Sequence, residues 1–315
     1  MNGKEAMELS IIIVNFNGKN FLEDCLQSIR EHVQFEHEVI VVDNASTDGS
    51  VEYLRGNFPD VKLIVSPENR GFTGGNNLGA QEAKGRYLLL LNNDTVVTSS
   101  LDPLIEMMQR EPAIGALGCN MVYGDGRLQE SVGYEHTALR ILLSWMPIAR
   151  MLPDNLARRT VPATSNFYQK DAVEADWISG AFLITPLLLW HRLGGLDENY
   201  FMYIEDVDYC RRVHDEGLRV MYSNLVKITH FEGGGRSWIG RRAVLNTADS
   251  YVIYARKFYG VLGRISIRTI FPLIFLARAM SHWFMHVMGH DVDGVDKATA
   301  FRAAAWSLLV GVRAT

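Results

Sequence analysis

The first hundred residues alternate between two hydrophobic periods. Leu9 to Val14 is an unbroken apolar, β-branched run, which predicts a strand buried on both faces of a parallel sheet. Phe21, Leu22, Cys25, Leu26 and Ile29 then recur at helical spacing behind the turn pair Asn17-Gly18. A second buried strand is expected over Val39 to Val42, a short helix over Ser50 to Arg55 and a third strand over Val61 to Val65. A small-residue helix follows over Gly74 to Lys84, and Tyr87 to Leu91 reads as a strand apolar enough to be central. Strand–helix units repeating every ~20–30 residues predict a doubly wound, Rossmann-like α/β domain.

From Leu101 to Asp171 the pattern is less regular. Tyr123-Gly124-Asp125-Gly126-Arg127 reads as a hairpin turn, and Arg150 to Gln169 as a mobile loop. Strands are expected again over Val173 to Trp177 and Ala181 to Ile184. A helix follows from about Glu205 to Glu216, closed by Gly217. Two further strands, Arg219 to Tyr222 and Val226 to Thr229, lead to His230. The expected division is an α/β domain over 1–240 and a C-terminal helical extension over 241–315.

Composition narrows the class. The chain has 315 residues, 48% hydrophobic and 21% charged, which excludes a disordered or collagen-like protein. A net charge of −5 argues against a globally basic nucleic-acid binder. Cys25, Cys119 and Cys210 lie far apart with no CxxC pair, against a disulfide scaffold or zinc ribbon and in keeping with a reducing compartment. Met1 to Glu8 carries Lys4, Glu5 and Glu8 and does not read as a signal peptide. Trp177 to Trp190, broken by Gly180 and Pro186, and Thr269 to Ala277 both fall short of the roughly 18–20 apolar residues that a membrane-spanning helix needs. A cytoplasmic location is therefore expected. The C-terminal segment qualifies it: Ser250 to His290 has no Asp or Glu, and sets Arg256, Lys257, Arg264, Arg268 and Arg278 among aromatic and aliphatic residues. Such a segment can lie in the headgroups of an anionic membrane, peripheral on the inner face of the plasma membrane. It can equally be helices that pack on the α/β domain or on a second subunit, so a homo-oligomer stays open.

In doubly wound sheets, ligands bind beyond the carboxyl ends of the strands. Those ends read Asn15-Phe16-Asn17, Asp43-Asn44-Ala45-Ser46, Ser66-Pro67-Glu68-Asn69 and Asn92-Asn93-Asp94. Any one is an ordinary turn sequence, and the four together favour a site. Asp94, after the most apolar strand, can hold a hard divalent cation or simply close a turn. Asp43 can accept hydrogen bonds from a base or ribose, or cap Ser46 and Thr47. Glu205-Asp206-Val207-Asp208 crowds acids at a helix start, where they favour the macrodipole, and Asp208 with Arg212 makes an i,i+4 pair. The aromatic run Tyr200 to Tyr203 upstream supplies apolar walls that raise a carboxylate pKa and suit a general base. His230 reads as structural or, beside Gly233-Gly234-Gly235-Arg236-Ser237, as part of a phosphate and metal site. Gly71 to Gly79 lacks both the G-x-G-x-x-G spacing and the P-loop lysine.

Together these segments resemble the inverting family-2 glycosyltransferases of the GT-A fold, in particular their rhamnosyltransferase-like branch. The matching text is Ser10 to Asn17, Val41 to Ser50, Asn69-Arg70-Gly71-Phe72, Leu91 to Asp94, Gly194 to Glu198, Glu205 to Asp208 and His230, in order over residues 8–240. The resemblance implies a GT-A-type mixed sheet carrying a nucleotide-sugar-binding catalytic domain. It implies Asp206 as catalytic base, Glu205 as its acceptor- or donor-binding neighbour, and Asp94 and His230 as ligands of a manganese or magnesium ion. Asn15, Asn17, Asp43, Asn69, Gly71, Asn92, Asn93, Trp177, Gly180, Arg236 and Ser237 would line the nucleotide and donor site. Asn92 stands where the family's metal motif usually has its first acid, which leaves a less charged site. The implied partners are a dTDP- or UDP-linked sugar donor and a glycan or lipid-linked acceptor of cell-surface polysaccharide synthesis. Two alternatives remain at this point. A sugar-1-phosphate nucleotidyltransferase would want a basic, Gly-rich loop where Asn15-Phe16-Asn17-Gly18 stands, and a catalytically silent GT-A scaffold would tolerate Asn92.

Overall fold

The computed structural model describes residues 7–146, 149, 151–231 and 240–310. The chain runs β1 (Leu9–Asn15), α1 (Lys19–His32), β2 (His37–Asp43), α2 (Ser50–Asn57), β3 (Lys62–Val65), α3 (Gly71–Ala80), β4 (Tyr87–Asn92), β5 (Thr95–Val97), α4 (Asp102–Arg110), β6 (Ile114–Val122) and β7 (Val132–Gly133). It continues with α5 (Ala138–Trp145), α6 (Asp154–Ala157), β8 (Val173–Glu174), β9 (Trp177–Ile178), β10 (Phe182–Pro186), α7 (Leu187–Leu193), α8 (Glu205–Asp215), β11 (Arg219–His230), α9 (Arg241–Val287) and α10 (Gly294–Val310).

These elements form two compact units. The first (1–133, 160–198 and 206–235) holds the sheet, ordered β3-β2-β1-β4-β10-β6-β11-β5 with β8 also on β11. β3, β2, β1 and β4 are parallel, β10 is antiparallel to β4 and β6, and β5 is antiparallel to β11. The mixed α/β sheet matches the expected class. Leu9, Ile11, Ile12 and Ile13 of β1 are all buried, because helices cover both faces. Each such side chain contributes roughly 1.5–3 kcal/mol of burial free energy. On α1, the helical-period residues Leu22, Cys25, Leu26 and Ile29 are the buried stripe. The glycines of α3 serve close packing. A Cβ at Gly75 would lie 2.7 Å from Val14 Cγ1 and one at Gly79 2.6 Å from Ile12 Cγ2, so the helix lies directly on the sheet.

Three sequence expectations change. The irregular stretch after Leu101 contains α4 and β6, and β6 is an interior strand of the sheet. Its pattern is broken by Gly115 and Gly118, which the packing requires: added Cβ atoms would come within 2.5 Å of Val213 Cγ1 and 3.1 Å of Ile178 Cβ. The two strands before His230 are one, β11, with an irregularity between Ser223 and Lys227. The stretch 150–169 includes α6 and a 3₁₀ turn, Asn166–Gln169. The hairpin turn is as expected, with Tyr123 N–H donating to Arg127 O at 2.8 Å and Gly126 at φ +82°.

The second unit comprises 134–159, 199–205 and 236–315, so it draws two stretches from within the linear span 1–240. They belong there because Trp145, at the end of α5, packs against Tyr251, Phe271 and Phe275 of α9 and Phe301 of α10. α9 changes direction at Gly260, whose φ/ψ of 63°/−154° no helix contains, and α10 returns along it. Ile265–Val287 forms 23 residues of mean hydropathy 1.2, with 28% buried, and is long and apolar enough to cross a membrane by length and composition. The shorter runs read from the sequence join into this length because the helix continues through Arg268 and Arg278.

Candidate active site

Register brings the strand ends together. In the β1–β2 ladder Asn15 pairs with Asp43, and in β1–β4 Val14 pairs with Asn92. Asn15 Nδ2 donates to Asp43 Oδ2 and to Ser46 Oγ, both at 3.1 Å, and its Oδ1 accepts from Asn93 Nδ2 at 2.8 Å. Asp43 also accepts from the Ser46 amide at 2.9 Å, so the capping role read from the sequence is present. Asn17, at φ +51°, donates its amide to Ser46 Oγ and accepts the Thr47 amide at 2.7 Å, which ties the β1 and β2 loops. Gly18 leaves the space this network fills: a Cβ there would stand 2.1 Å from Asn93 Nδ2 and 2.8 Å from Asn15 Oδ1.

Asn44 links this cluster to the next. Its Nδ2 donates to Asn69 Oδ1 at 3.2 Å and to Gly71 O at 2.8 Å, and Asn69 Oδ1 also accepts the Gly71 amide. Gly71 has φ +71°, which turns the chain into α3 at little steric cost. Phe72 then lies against Gly180, where a Cβ would be 3.2 Å from the ring and 3.5 Å from Asp206 Cβ.

The third group sits where β5 pairs antiparallel with the end of β11, Thr95 opposite His230. Asp94 Oδ1 lies 3.2 Å from His230 Nε2, and Asn92 Nδ2 also lies 3.2 Å from it. His230 Nδ1 is 2.9 Å from Gln129 Oε1. An amide oxygen can only accept, so Nδ1 donates to Gln129 and Nε2 is the ring nitrogen that faces the Asp94 carboxylate. A carboxylate oxygen and an imidazole nitrogen side by side are donor types that fit a divalent cation taking its remaining ligands from water and phosphate oxygens. Among the described residues no third His, Cys, Asp or Glu joins them. Gln129 went unread in the sequence, because only the fold sets it beside a histidine 101 residues away.

Asp206 opens α8. Its Oδ2 accepts from Gly180 N–H at 3.0 Å and its Oδ1 from Val207 N–H at 2.8 Å, so both oxygens are oriented. Burial raises its pKa above the usual carboxylate value, against the lowering effect of these amides. Asp208 is structural in geometry: it is buried and accepts from Arg212 Nε at 2.6 Å, while the same guanidinium donates to Leu193 O and Gly195 O at 2.9 Å. Gly194 to Glu198 is likewise a tie, with Asn77 donating to Leu196 O and accepting its amide.

Trp177 lies in β9, paired with β7 and opposite Gly133. Glu205 precedes Asp206 in the chain, belongs to the second unit and is buried. Just before it, Tyr203 and Ile204 both hold positive φ, 73° and 69°. For a β-branched residue that is a true outlier and marks a backbone under strain. Arg236 and Ser237 lie outside the described residues. All three cysteines are buried free thiols, and burial pushes Cys25 up to about 12.

Solved structures share this architecture. The chain aligns with GalNAc-T7, determined with UDP, GalNAc and Mn2+, at a TM-score of 0.57 and 16% identity, covering 82% of this chain and 52% of that one. A mannosyltransferase from Pyrobaculum calidifontis, in complex with GDP-Man and Mn2+, aligns at 0.53 and 16% identity over 97% of this chain and 86% of that one. The fold is therefore that of the GT-A glycosyltransferases. Among curated relatives, the O-antigen biosynthesis protein RfbC of Myxococcus xanthus is 28% identical over 79% of this chain, which spans 19% of that protein. The N-acetylglucosaminyl-diphospho-decaprenol L-rhamnosyltransferase of Mycobacterium tuberculosis is 27% identical over 70% of this chain and 75% of its own length. The rhamnosyltransferase WbbL of Escherichia coli is 23% identical over 78% and 92%. The family profile described as glycosyl transferase family 2 matches residues 10–174, more than half of the chain, and the protein belongs to that family of glycosyltransferases.

Proposed function

We propose that this chain is an inverting transferase that moves a sugar, L-rhamnose, from a dTDP- or UDP-linked donor to a glycan or lipid-linked acceptor of cell-surface polysaccharide synthesis. The names of the mycobacterial and E. coli relatives support the sugar and the setting. The observation that carries the reading is the meeting of Asp94 and His230, 3.2 Å apart, at the strand ends where Asn15, Asp43 and Asn93 are already linked. In this reading Asn15, Asn17, Asp43, Asn69, Gly71, Asn92 and Asn93 receive the nucleotide, and Trp177 and Gly180 face the donor sugar. Asp94 and His230 hold manganese or magnesium, and Arg236 and Ser237 meet the diphosphate. Family membership favours sugar transfer over nucleotidyl transfer.

When bound, the divalent ion neutralises charge developing on the leaving diphosphate. The protein supplies the rest. Asp206 takes the proton from the acceptor hydroxyl, and its raised pKa brings it closer to neutral working pH, where a general base is most effective. The Gly180 and Val207 amides hold the carboxylate in one orientation, so the hydroxyl is drawn to a fixed position. Attack on the anomeric carbon from the face opposite the diphosphate inverts its configuration. Glu205 is the neighbouring acceptor- or donor-binding acid. A cytoplasmic location on the inner face of the plasma membrane follows from a lipid-linked acceptor and the basic, aromatic α9.

The test is transfer from dTDP-L-rhamnose and from UDP-sugars to a polyprenyl-diphosphate-linked N-acetylglucosamine, with the product anomer assigned by NMR. A product of opposite anomeric configuration to the donor is expected. A product that keeps the donor's configuration overturns single displacement, and no transfer from any donor overturns the substrate reading.

A further inference from the structure

The second half of α9 has one side that the protein fills and one that it leaves open. Ile267, Phe271, Phe275 and Ala279 are buried, with Phe271 and Phe275 against the Trp145 ring and Phe275 also against Phe301 of α10. Arg278 lies on this packed side, its guanidinium 5.6 Å from the Trp145 ring centroid and 5.0 Å from that of Phe301. The Nε of Arg268 is buried as well. These two arginines are the only Asp, Glu, Lys or Arg between Ile265 and Val287. At ~100° per residue, both stand about 140° around the axis from Leu273, which is exposed. The open side therefore carries no carboxylate, ammonium or guanidinium along roughly 33 Å of helix. Ile265, Leu273, Leu276 and Met280 build it, with Leu273 68% and Met280 71% exposed.

Towards its end the helix opens further. Trp283, Phe284, Met285 and Val287 are all exposed, and at ~100° per residue they spread over about 200° of the circumference. A helix apolar around so much of its surface is buried either in a protein core or in a membrane. The protein itself buries only 28% of this stretch. A second copy laid along α9 would cover a stripe of roughly 100° and leave the rest in water. A lipid phase closes over the whole convex surface. Trp283, and Trp306 on α10 at 67% exposed, are the residue type that settles at the water–lipid boundary. The packed side sets the orientation: a helix held along its length against Trp145 and Phe301 has one face for lipid, so it lies in the membrane plane instead of crossing it.

We infer that the second unit seats the open side of α9 in the headgroup–acyl boundary of a phospholipid bilayer, held there by apolar insertion and not by the arginines of that stretch. This deepens the inner-face location proposed above, and the choice of membrane rests on that reading. Arg268 and Arg278, two of the basic residues that the sequence offers to anionic headgroups, belong to the packed side. Attraction between exposed charges fades as salt rises, whereas apolar insertion does not depend on it. Neutral lipid and high salt therefore separate the two modes of attachment.

The experiment floats the full chain with vesicles of phosphatidylcholine alone, at low and at high salt. Beside it run the triple variant Met280→Ser/Trp283→Ser/Phe284→Ser and the control Leu188→Ser, which removes an apolar side chain 84% exposed on α7. Wild type and control should bind, with a partition coefficient that changes less than about 2-fold between ~50 and ~500 mM salt. The triple variant should lose about 10-fold or more of that partitioning. A wild type that stays off neutral vesicles, or a triple variant that binds them like wild type, overturns the inference. So does sedimentation that shows a wild-type dimer and a monomeric triple variant, because the open side would then belong to a second copy. A second readout does not depend on how the triple variant folds. An environment-sensitive dye on Met280→Cys, the native thiols being buried, should shift its emission to the blue when vesicles are added, and an unshifted emission overturns the inference. Vesicle binding needs neither nucleotide nor acceptor. A chain that floats and transfers no sugar keeps this inference and loses the transferase reading, and one that transfers sugar to a soluble acceptor without floating does the reverse.

Discussion

Gly18→Ala separates a backbone requirement from a site requirement. Gly18 has φ −116°, which alanine adopts without strain, so any effect comes from the space its Cβ takes. That atom would lie 2.1 Å from Asn93 Nδ2 and 2.8 Å from Asn15 Oδ1. Both obstructing atoms belong to side chains, and Asn93 is the one free to swing aside. The fold should survive with a loss of about 1 kcal/mol, the net value of the 2.8 Å Asn93–Asn15 hydrogen bond. If Asn93 faces the nucleotide, turning it away removes one further hydrogen bond of similar size, which lowers affinity roughly 5- to 10-fold. Nucleotide affinity by calorimetry and urea unfolding would be measured on wild type, Gly18→Ala, Asn93→Ala and the double variant. The two substitutions act through one side chain, so their effects on affinity should not add. Full additivity, or wild-type affinity in Gly18→Ala, would refute the reasoning that Gly18 exists to seat Asn93.

Gln129→Leu removes the acceptor that holds the His230 Nδ1 proton, and should weaken manganese binding by about 10-fold or more in a spin-resonance titration, while Gln129→Glu, which still accepts, retains most of it. Asp206→Asn should lower transfer by about 10²–10⁴-fold with nucleotide affinity near wild type, and a loss of affinity instead would reassign the residue. Because burial raises the Asp206 pKa and the base works deprotonated, kcat/KM should rise with pH along an acid limb lying above the ~3.9 of an ordinary aspartate; a limb at or below that value would contradict the assignment. Asp208→Ala leaves the Arg212 guanidinium buried without its carboxylate, and should cost about 3–5 kcal/mol in unfolding experiments while the folded fraction still binds nucleotide.

Much of the sheet was legible because β1, β2 and β4 are covered on both sides and so read as continuous apolar runs. β6 was not legible. Its glycines look like breaks until Val213 and Ile178, contributed by distant segments, are seen to press on them. Nor does any local pattern show that β10 inserts antiparallel between β4 and β6, since pairing direction is settled by tertiary contacts. At the site, the polar strand ends stood out because ladder register alone brings them together. Gln129 and the space at Gly18 depend on partners 101 and 75 residues away, and the positive φ of Ala45, Tyr203 and Ile204 carries no sequence signature. The long α9 was underread because Arg268 and Arg278 interrupt the apolar count without interrupting the helix.

The most direct test of a metal-assisted nucleotide-sugar site is thermal unfolding of wild type and Asp94→Ala with UDP, dTDP, GDP and CDP, each with manganese and with EDTA. A ligand at 100 times its Kd stabilises the folded state by about 2.7 kcal/mol, which is several degrees in Tm for a domain of this size. One diphosphate should stabilise the wild type with manganese and much less with EDTA, and Asp94→Ala should erase that difference. Stabilisation by no nucleotide, or by one equally in manganese and EDTA, would contradict the account.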